Sequence, residues 1–586
     1  MLKSCREIII GVTRFCVEQH ILNLLLAILI GTLSGWGAVL FHHVLQWSQW
    51  LFYQSSHDFL VFGHTLPTWK IALLPALGGL LVGLLVYFGA SEAKGHGVPE
   101  VMTALALKGG RIRKRVALVK ILASALCIGS GGSSGREGPM VQIGSSVGST
   151  IGQWARVPLM HQRTMVGCGA AAGIAATFNA PIAGVLFALE ILIGDFGIAS
   201  FSPVVISSVT ATAISRYYWG DLPTFKIPTY EIISAWEFAI YPLLGVFAAL
   251  CAVAFILFLH RSEDIFERLP LPEWCKPALG GLLLGGIILI WPEAFGVGYG
   301  AMNNVLHSET TGLILLVLVG VKILATSATL GSGGSGGIFA PSLFIGAMAG
   351  GFFGWCVGLL LPGLTAPPGA YALVGMGAVV AGTTHAPITA ILIIFEMTGD
   401  YKIILPMMIT CILATIIASA LERDSIYTIK LRKRGVILSH GLEQNILRSL
   451  SVKQFMTHDV ATIPESMTLL DIIRTFKLQD VSYLHVVSEK GALKGIISFR
   501  DIRPLLREEG LHYLVIARDI ATSDLFVVTP DDNISHAMRL MTSRGISQLP
   551  VVEPGNASRV VGTIREKDLM AAYDTAVIRH ELLDQA

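Results

Sequence analysis

Charge is what this chain has least of. Acidic and basic residues together make up 14% of its 586 residues, against roughly 25% in soluble globular domains. The two signs nearly cancel, 42 lysines and arginines against 40 aspartates and glutamates. That balance leaves no basic footprint for nucleic acid. The eight cysteines, Cys5, Cys16, Cys127, Cys168, Cys251, Cys275, Cys356 and Cys411, form no CxxC pair. Neither a zinc site nor a disulfide frame is indicated. A GxxxxGKS/T element is missing too. Gly331–Gly336 spells GxGxxG, but no βαβ unit surrounds it, which disfavours a dinucleotide site. "HELLD" at 580–584 lacks the second histidine of a zinc protease motif.

What the chain has in place of charge is apolar sequence, 53% of all residues, with a mean hydropathy of +0.66. The apolar residues fall in long runs up to about residue 420. The first, Ile21–Phe41, follows Lys3 and Arg6 but shows no small-residue cleavage pattern, so it reads as a retained helix and not a signal peptide. Ile71–Phe88, Phe238–Leu259, Gly312–Leu330 and Ile403–Ala420 approach or exceed the roughly 20 residues that cross a bilayer. Ala278–Ile290 is too short for a full perpendicular crossing. The 62 glycines suit close helix packing and helices broken at membrane depth. Basic clusters at Lys108–Arg115 and Lys430–Arg434 mark the cytoplasmic side. With both ends there, the number of crossings is even.

The predicted fold is therefore an all-α polytopic membrane domain with a tail of different character. The expected division is a cytoplasmic segment 1–20, a membrane domain 21–430, a linker 431–450, and two tail units, 451–510 and 511–586. In the tail, short strand-like runs alternate with amphipathic helix patterns, and one pattern occurs twice. It runs from Val452 to "LKGIISFRDI" and again from Ala517 to "VVGTIREKDL". This tandem resembles a pair of α/β CBS domains.

The membrane part repeats itself as well. "GSGGSSGREGP" at 129–139 answers "GSGGSGGIFAP" at 331–341, and "FNAPIAGVLFALEI" at 178–191 answers "THAPITAILIIFEM" at 384–397. The order and the spacing match, which indicates a duplicated half, expected to be inverted as in many transporters. Glycine and serine at a helix break leave backbone N–H groups and a positive helix end, both of which favour an anion. Close packing without any ligand is the competing reading.

"GHGVPE" at 95–100, "GREGP" at 135–139, "GGIFAP" at 336–341 and Tyr427 together resemble the CLC family of chloride channels and proton–chloride exchangers. The resemblance spans residues 20–430 and implies an integral membrane homodimer with broken helices, one anion pathway per subunit, voltage gating in some members, and chloride and protons as partners. It implies a gate at Glu137, whose carboxylate competes with the anion. A carboxylate at this depth is costly unless it is used; an ion pair with Arg136 is the alternative. The resemblance also implies anion contacts at His96, Gly97, Arg136, Gly138, Ile338, Phe339 and Tyr427. The N–H groups count at Ile338 and Phe339, and the hydroxyl at Tyr427.

Two positions depart from the family pattern. His96 stands where a serine is usual. A neutral imidazole can donate to an anion, or the ring can turn away. Ile191 stands where exchangers commonly carry a proton-transferring glutamate, which favours a passive channel unless Glu190 supplies a proton path; Glu190 can equally be a structural carboxylate. In the tail, Gly495, Ser498 and Asp501 fit a nucleotide-binding strand end, whereas Asp568 follows Arg565 where the hydroxyl is lost. Adenine nucleotide binding and plain dimerisation both stay open. No cofactor or metal is required, no nucleic acid is expected, and a bacterial inner membrane with the tail in the cytoplasm is the expected location. A CBS-regulated divalent-cation transporter is the alternative function; it needs clustered acidic residues at membrane depth, and these are scattered. No constellation for an enzyme appears.

Overall fold

The structure is a computed structural model; outside its described residues lie 1, 56–58, 195, 222, 226, 229, 231–232, 235, 435–449, 480, 508 and 570–586, and of 2–20 only the backbone is described. Most of the expected linker and the "HELLD" segment therefore lie outside the described residues. Two compact units form, Met1–Ile437 and Leu438–Ala586.

Apart from a one-turn helix, Phe59–Phe62, the first unit is a single series of eight helices made twice among the described residues. The first series is α1 (Leu2–Tyr53), α2 (Thr68–Gly89), α3 (Val98–Leu107), α4 (Arg115–Gly129), α5 (Glu137–Trp154), α6 (Leu159–Phe178), α7 (Pro181–Leu186, continued by a π-helical turn Phe187–Ile193) and α8 (Ile198–Trp219). The second is α9 (Glu237–Arg268), α10 (Lys276–Ile290), α11 (Tyr299–Leu306), α12 (Leu313–Gly331), α13 (Phe339–Leu360), α14 (Pro368–Thr384), α15 (Pro387–Thr398) and α16 (Ile404–Leu421). A short α17 (Thr428–Lys433) closes the unit. Among the described residues, six of these helices are long and apolar enough to cross a membrane. α3, α7, α10 and α15 are shorter apolar helices, in keeping with the short Ala278–Ile290 run.

The sequence sets the breaks in the same way in both halves. α6 ends on Asn179 at φ 58° and α14 on His385 at φ 56°, left-handed positions that stop a helix. A proline then opens α7 and α15, where its missing N–H costs nothing. Packing across the halves is reciprocal as well. α2 and α10 touch through Gly79, where a Cβ would come 2.1 Å from the Pro277 carbonyl oxygen, and through Gly281, where it would come 2.2 Å from that of Pro75. Each contact is the other's image under a two-fold rotation.

In the second unit, β1 (Thr462–Pro464) pairs parallel to β2 (Tyr483–Val487), and β2 pairs antiparallel to β3 (Leu493–Ser498). Helix α18 (Leu469–Gln479) lies between β1 and β2 in sequence. The second copy has α19 (Ile534–Arg544) followed by the antiparallel pair β4 (Gln548–Glu553) and β5 (Asn556–Arg565). The two copies exchange their leading segments. Val452 packs in the core of the second copy with Val528, Ile534 and Leu549, and Ala517 packs in that of the first with Leu469 and Leu484.

Candidate anion site

The glycine-rich turns meet each other. Gly135 N–H donates to the Gly337 carbonyl at 2.7 Å, and Gly337 N–H donates to that of Gly135 at 2.6 Å. The two residues are equivalent in the repeat (337 − 135 = 202), so the exchange lies on the two-fold relation between the halves. A third turn joins them, with Gly95 N–H donating to Gly334 at 3.0 Å and Gly336 N–H to Gly95 at 3.4 Å. The three turns bring the starts of α3, α5 and α13 together. The approach is close enough to require glycine: a Cβ on Gly138 would stand 2.3 Å from the His96 carbonyl oxygen. Gly97 caps α3 at φ 84°, with the Gly138 carbonyl oxygen 2.8 Å from where its Cβ would be. Converging first turns aim N–H groups and positive helix ends at one place.

Glu137 opens α5 inside this convergence and is 1% exposed. Neither carboxylate oxygen has a hydrogen-bond partner among the described residues. The backbone N–H groups of Glu137, Ala340 and Arg136 and the Arg136 guanidinium favour its charged form. Arg136 does not close on it as a partner. Its guanidinium carbon lies 5.5 Å from the centre of the Tyr299 ring, and the side chain borders a cavity of ≈ 220 Å³ also lined by His42, Met140, Phe178 and Asn179.

The other sequence-predicted residues gather around the same point. Ile338 caps α13 and Phe339 begins it, so their N–H groups belong to the first turn. Both side chains are buried, with the Phe339 ring 5.7 Å from that of Phe178. Tyr427, buried at the start of α17, has its ring 6.1 Å from the His96 imidazole. His96 is buried, and neither ring nitrogen has a hydrogen-bond partner among the described residues. Buried polar groups are ordinarily paired. A carboxylate, an imidazole and the Ser134 hydroxyl left unpaired in one neighbourhood therefore mark a place built for something other than packing.

Glu190 lies apart from this point. Its carboxylate accepts from the N–H groups of Ile388 at 3.3 Å and Thr389 at 2.7 Å, and from the Thr389 hydroxyl at 2.6 Å. In the tail, Ser498 donates from both its N–H and its hydroxyl to Asp501, each at 2.7 Å. Asp568 is held by the Arg565 guanidinium at 2.9 and 3.2 Å. Among the described residues no group of three or more His, Cys, Asp or Glu side chains could hold a metal ion.

Sequence reasoning passed over Lys120 and Lys322. Both are buried in apolar helices, and each donates to two carbonyls: Lys120 to Ala93 and Gly95 at 3.0 and 2.7 Å, Lys322 to Ala294 and Gly296 at 3.3 and 2.8 Å. Their shared offset (322 − 120 = 202) would have revealed them, since an ionisable residue at membrane depth is rarely idle. Glu263 and His260 were also missed, because "HRSED" at the end of α9 reads as an ordinary polar helix terminus.

The sequence profile of the voltage-gated chloride channel family matches residues 78–419, and that of the CBS domain matches 452–508 and 517–575. A Ralstonia nicotianae protein described as a putative chloride channel protein ClcB-like is 38% identical over 412 residues, covering 69% of this chain and 95% of that protein. The crystal structure of a slow cyanobacterial Cl−/H+ antiporter superposes with a TM-score of 0.63 at 30% identity, covering 70% of this chain and 97% of its own. That of a eukaryotic CLC transporter shares the fold at 20% identity, with a TM-score of 0.61 and coverage of 93% and 97%. The profile takes in more than half of the chain and the Ralstonia protein is matched almost end to end; this chain belongs to the CLC family of voltage-gated chloride channels, as an integral membrane protein whose membrane unit is followed by a CBS pair.

Proposed function

We propose that each subunit of a homodimer carries chloride, or a similar small anion, through a pathway gated by Glu137. The observation that carries this reading is the buried Glu137 carboxylate, without a hydrogen-bond partner among the described residues, at the meeting of three helix starts. A negative side chain there occupies the place that helix N-termini offer to an anion. Protonation removes its charge and frees that place. His96, Gly97, Arg136, Gly138, Ile338, Phe339 and Tyr427 are the proposed anion contacts. Chloride is the substrate named for the Ralstonia relative and the cyanobacterial antiporter, and it is the anion proposed here.

The CBS pair is proposed to lie in the cytoplasm beneath a bacterial inner membrane. An adenine nucleotide is proposed at the Ser498–Asp501 end only, because the hydroxyl present there is replaced by Arg565 in the second copy. Radioactive chloride uptake into liposomes across a pH series tests the gate. Wild-type uptake rises as the pH falls, and Glu137→Gln makes it insensitive to pH. Unchanged pH dependence in that variant would remove Glu137 as the gate.

A further inference from the structure

His96 has neighbours that no anion contact requires. Its Nε2 lies 3.9 Å from Glu263 Oε1 on α9, and the other oxygen of Glu263 is bonded to His260 Nδ1 at 2.8 Å. Glu263 is 13% exposed at its side chain and His96 is 0% exposed, so the pair runs from near the surface into the interior. On its inner side, the His96 ring stands 6.1 Å from that of Tyr427. The His96 backbone also abuts Gly138, the residue after Glu137. The charged and titratable groups facing His96 are Glu263 and His260 from α9, Lys120 from α4 and Lys430 from α17. Ile191, by contrast, offers no group that can hold a proton.

We propose that Glu263 and His96 form a proton relay to Glu137, so that this chain exchanges protons for the anion along a route that bypasses Ile191. The inference rests on the anion pathway proposed above. In the first step a proton taken up from solution by the Glu263 carboxylate passes to His96 Nε2, leaving a carboxylate and an imidazolium. The imidazolium then releases the proton on Nδ1 toward Glu137, whose carboxylate becomes a neutral acid, and leaves the ring neutral with its proton on Nε2; a proton exchange that returns the N–H to Nδ1 resets the relay. An imidazole suits this task because one nitrogen can accept while the other donates. The ammonium groups of Lys120 and Lys430 oppose the imidazolium and the Glu263 carboxylate supports it, which makes the charged ring a passing state.

The test records chloride and proton movement in parallel, using the full chain in liposomes. Wild type is expected to move protons with chloride. Glu263→Gln is expected to lose proton movement while chloride uptake persists, and Glu263→Asp to restore part of the coupling. His96→Ser is expected to lose proton movement as well. Chloride uptake without proton movement in the wild type overturns the relay, as does coupling that survives Glu263→Gln. A parallel fall of both fluxes in that variant also overturns it, since a structural role predicts that result. In all three cases anion transport itself still stands. Absence of chloride uptake by the wild type overturns the anion pathway and the relay with it.

Discussion

Glu190 and Glu396 each cap the helix that carries the other. The Glu190 carboxylate accepts from the first turn of α15, and the Glu396 carboxylate accepts from Ile182 and Ala183 in the first turn of α7, at 3.0 and 2.7 Å. The pair obeys the repeat (396 − 190 = 206, as for His385 and Asn179). Each carboxylate meets N–H groups that have no acceptor within their own helix.

Losing such a cap costs about 0.5–2 kcal/mol. Glu190→Ala and Glu396→Ala are each expected to lower the thermal midpoint of the purified protein in detergent by several degrees. Glu190→Gln keeps an acceptor and is expected to fall less. A capping role also predicts unaltered proton movement in Glu190→Gln; its loss would give Glu190 a part in transport.

The glycines at helix crossings divide sharply by what surrounds them. A Cβ on Gly144 would stand 2.0 Å from the Gly169 carbonyl oxygen, and one on Gly169 would stand 1.9 Å from that of Gly144. Backbone on both sides cannot yield without separating α5 from α6, and overpacking of this kind costs about 1–3 kcal/mol or more. Gly144→Ala and Gly169→Ala are expected to abolish the monodisperse peak in size-exclusion chromatography. Gly286→Ala on α10 is the control, with nothing within 4 Å of the added carbon, and it should run like the wild type.

The turns, the duplication and Glu137 were legible because each is a local signal: glycine and proline break helices, and a repeat of the break exposes the doubled frame. Helix α13 was not singled out as a span, since its glycines dilute an apolar run that the fold uses for close crossing. What stayed hidden depends on partners far apart in sequence. Glu190 and Glu396 look like two scattered acids until α7 and α15 are set side by side. In the tail, the division at residue 511 follows the sequence copies, yet Val452 and Ala517 each pack into the other copy's core. Val452 opens the 3-10 turn Val452–Gln454 and Ala517 the one-turn helix Ala517–Ile520, and a turn that short carries no periodicity to say which copy it joins.

Lys120 and Lys322 make a matched pair of experiments. Each ammonium holds two carbonyls, at the short turns Ser91–Ala93 and Pro292–Ala294 that lead toward α3 and α11. Replacing the lysine with methionine keeps most of the volume and strands those carbonyls, at about 1–3 kcal/mol. Both variants should melt earlier. Lys120→Met should also weaken anion affinity, because Lys120 lies in electrostatic reach of His96 and Lys322 belongs to the half without that residue. Equal affinities in the two variants would confine Lys120 to a structural part.

His485 gives the CBS unit a pH dependence of its own. It sits on β2, 1% exposed, with Nδ1–H donating to the Ala461 carbonyl at 3.3 Å and Nε2 without a hydrogen-bond partner among the described residues. Burial pushes its pKa below the ordinary 6.5, because a second N–H on the ring would be buried unpaired. Above pH 6.5 both folded and unfolded chains hold the ring neutral, and its contribution to stability is complete. As the pH falls below that, the unfolded chain takes up the proton first, and stability is lost progressively until the folded pKa is reached. The protection factors at the amides of Tyr483–Val487, taken from exchange rates in the full chain corrected for the intrinsic pH dependence of amide exchange, should therefore fall as the pH drops below 6.5. His485→Leu removes the titrating ring while the Ala461 carbonyl keeps the backbone N–H of residue 485 at 2.9 Å. Protection in that variant should be flat over the same pH range, and an unchanged pH profile would assign the loss of stability to another group.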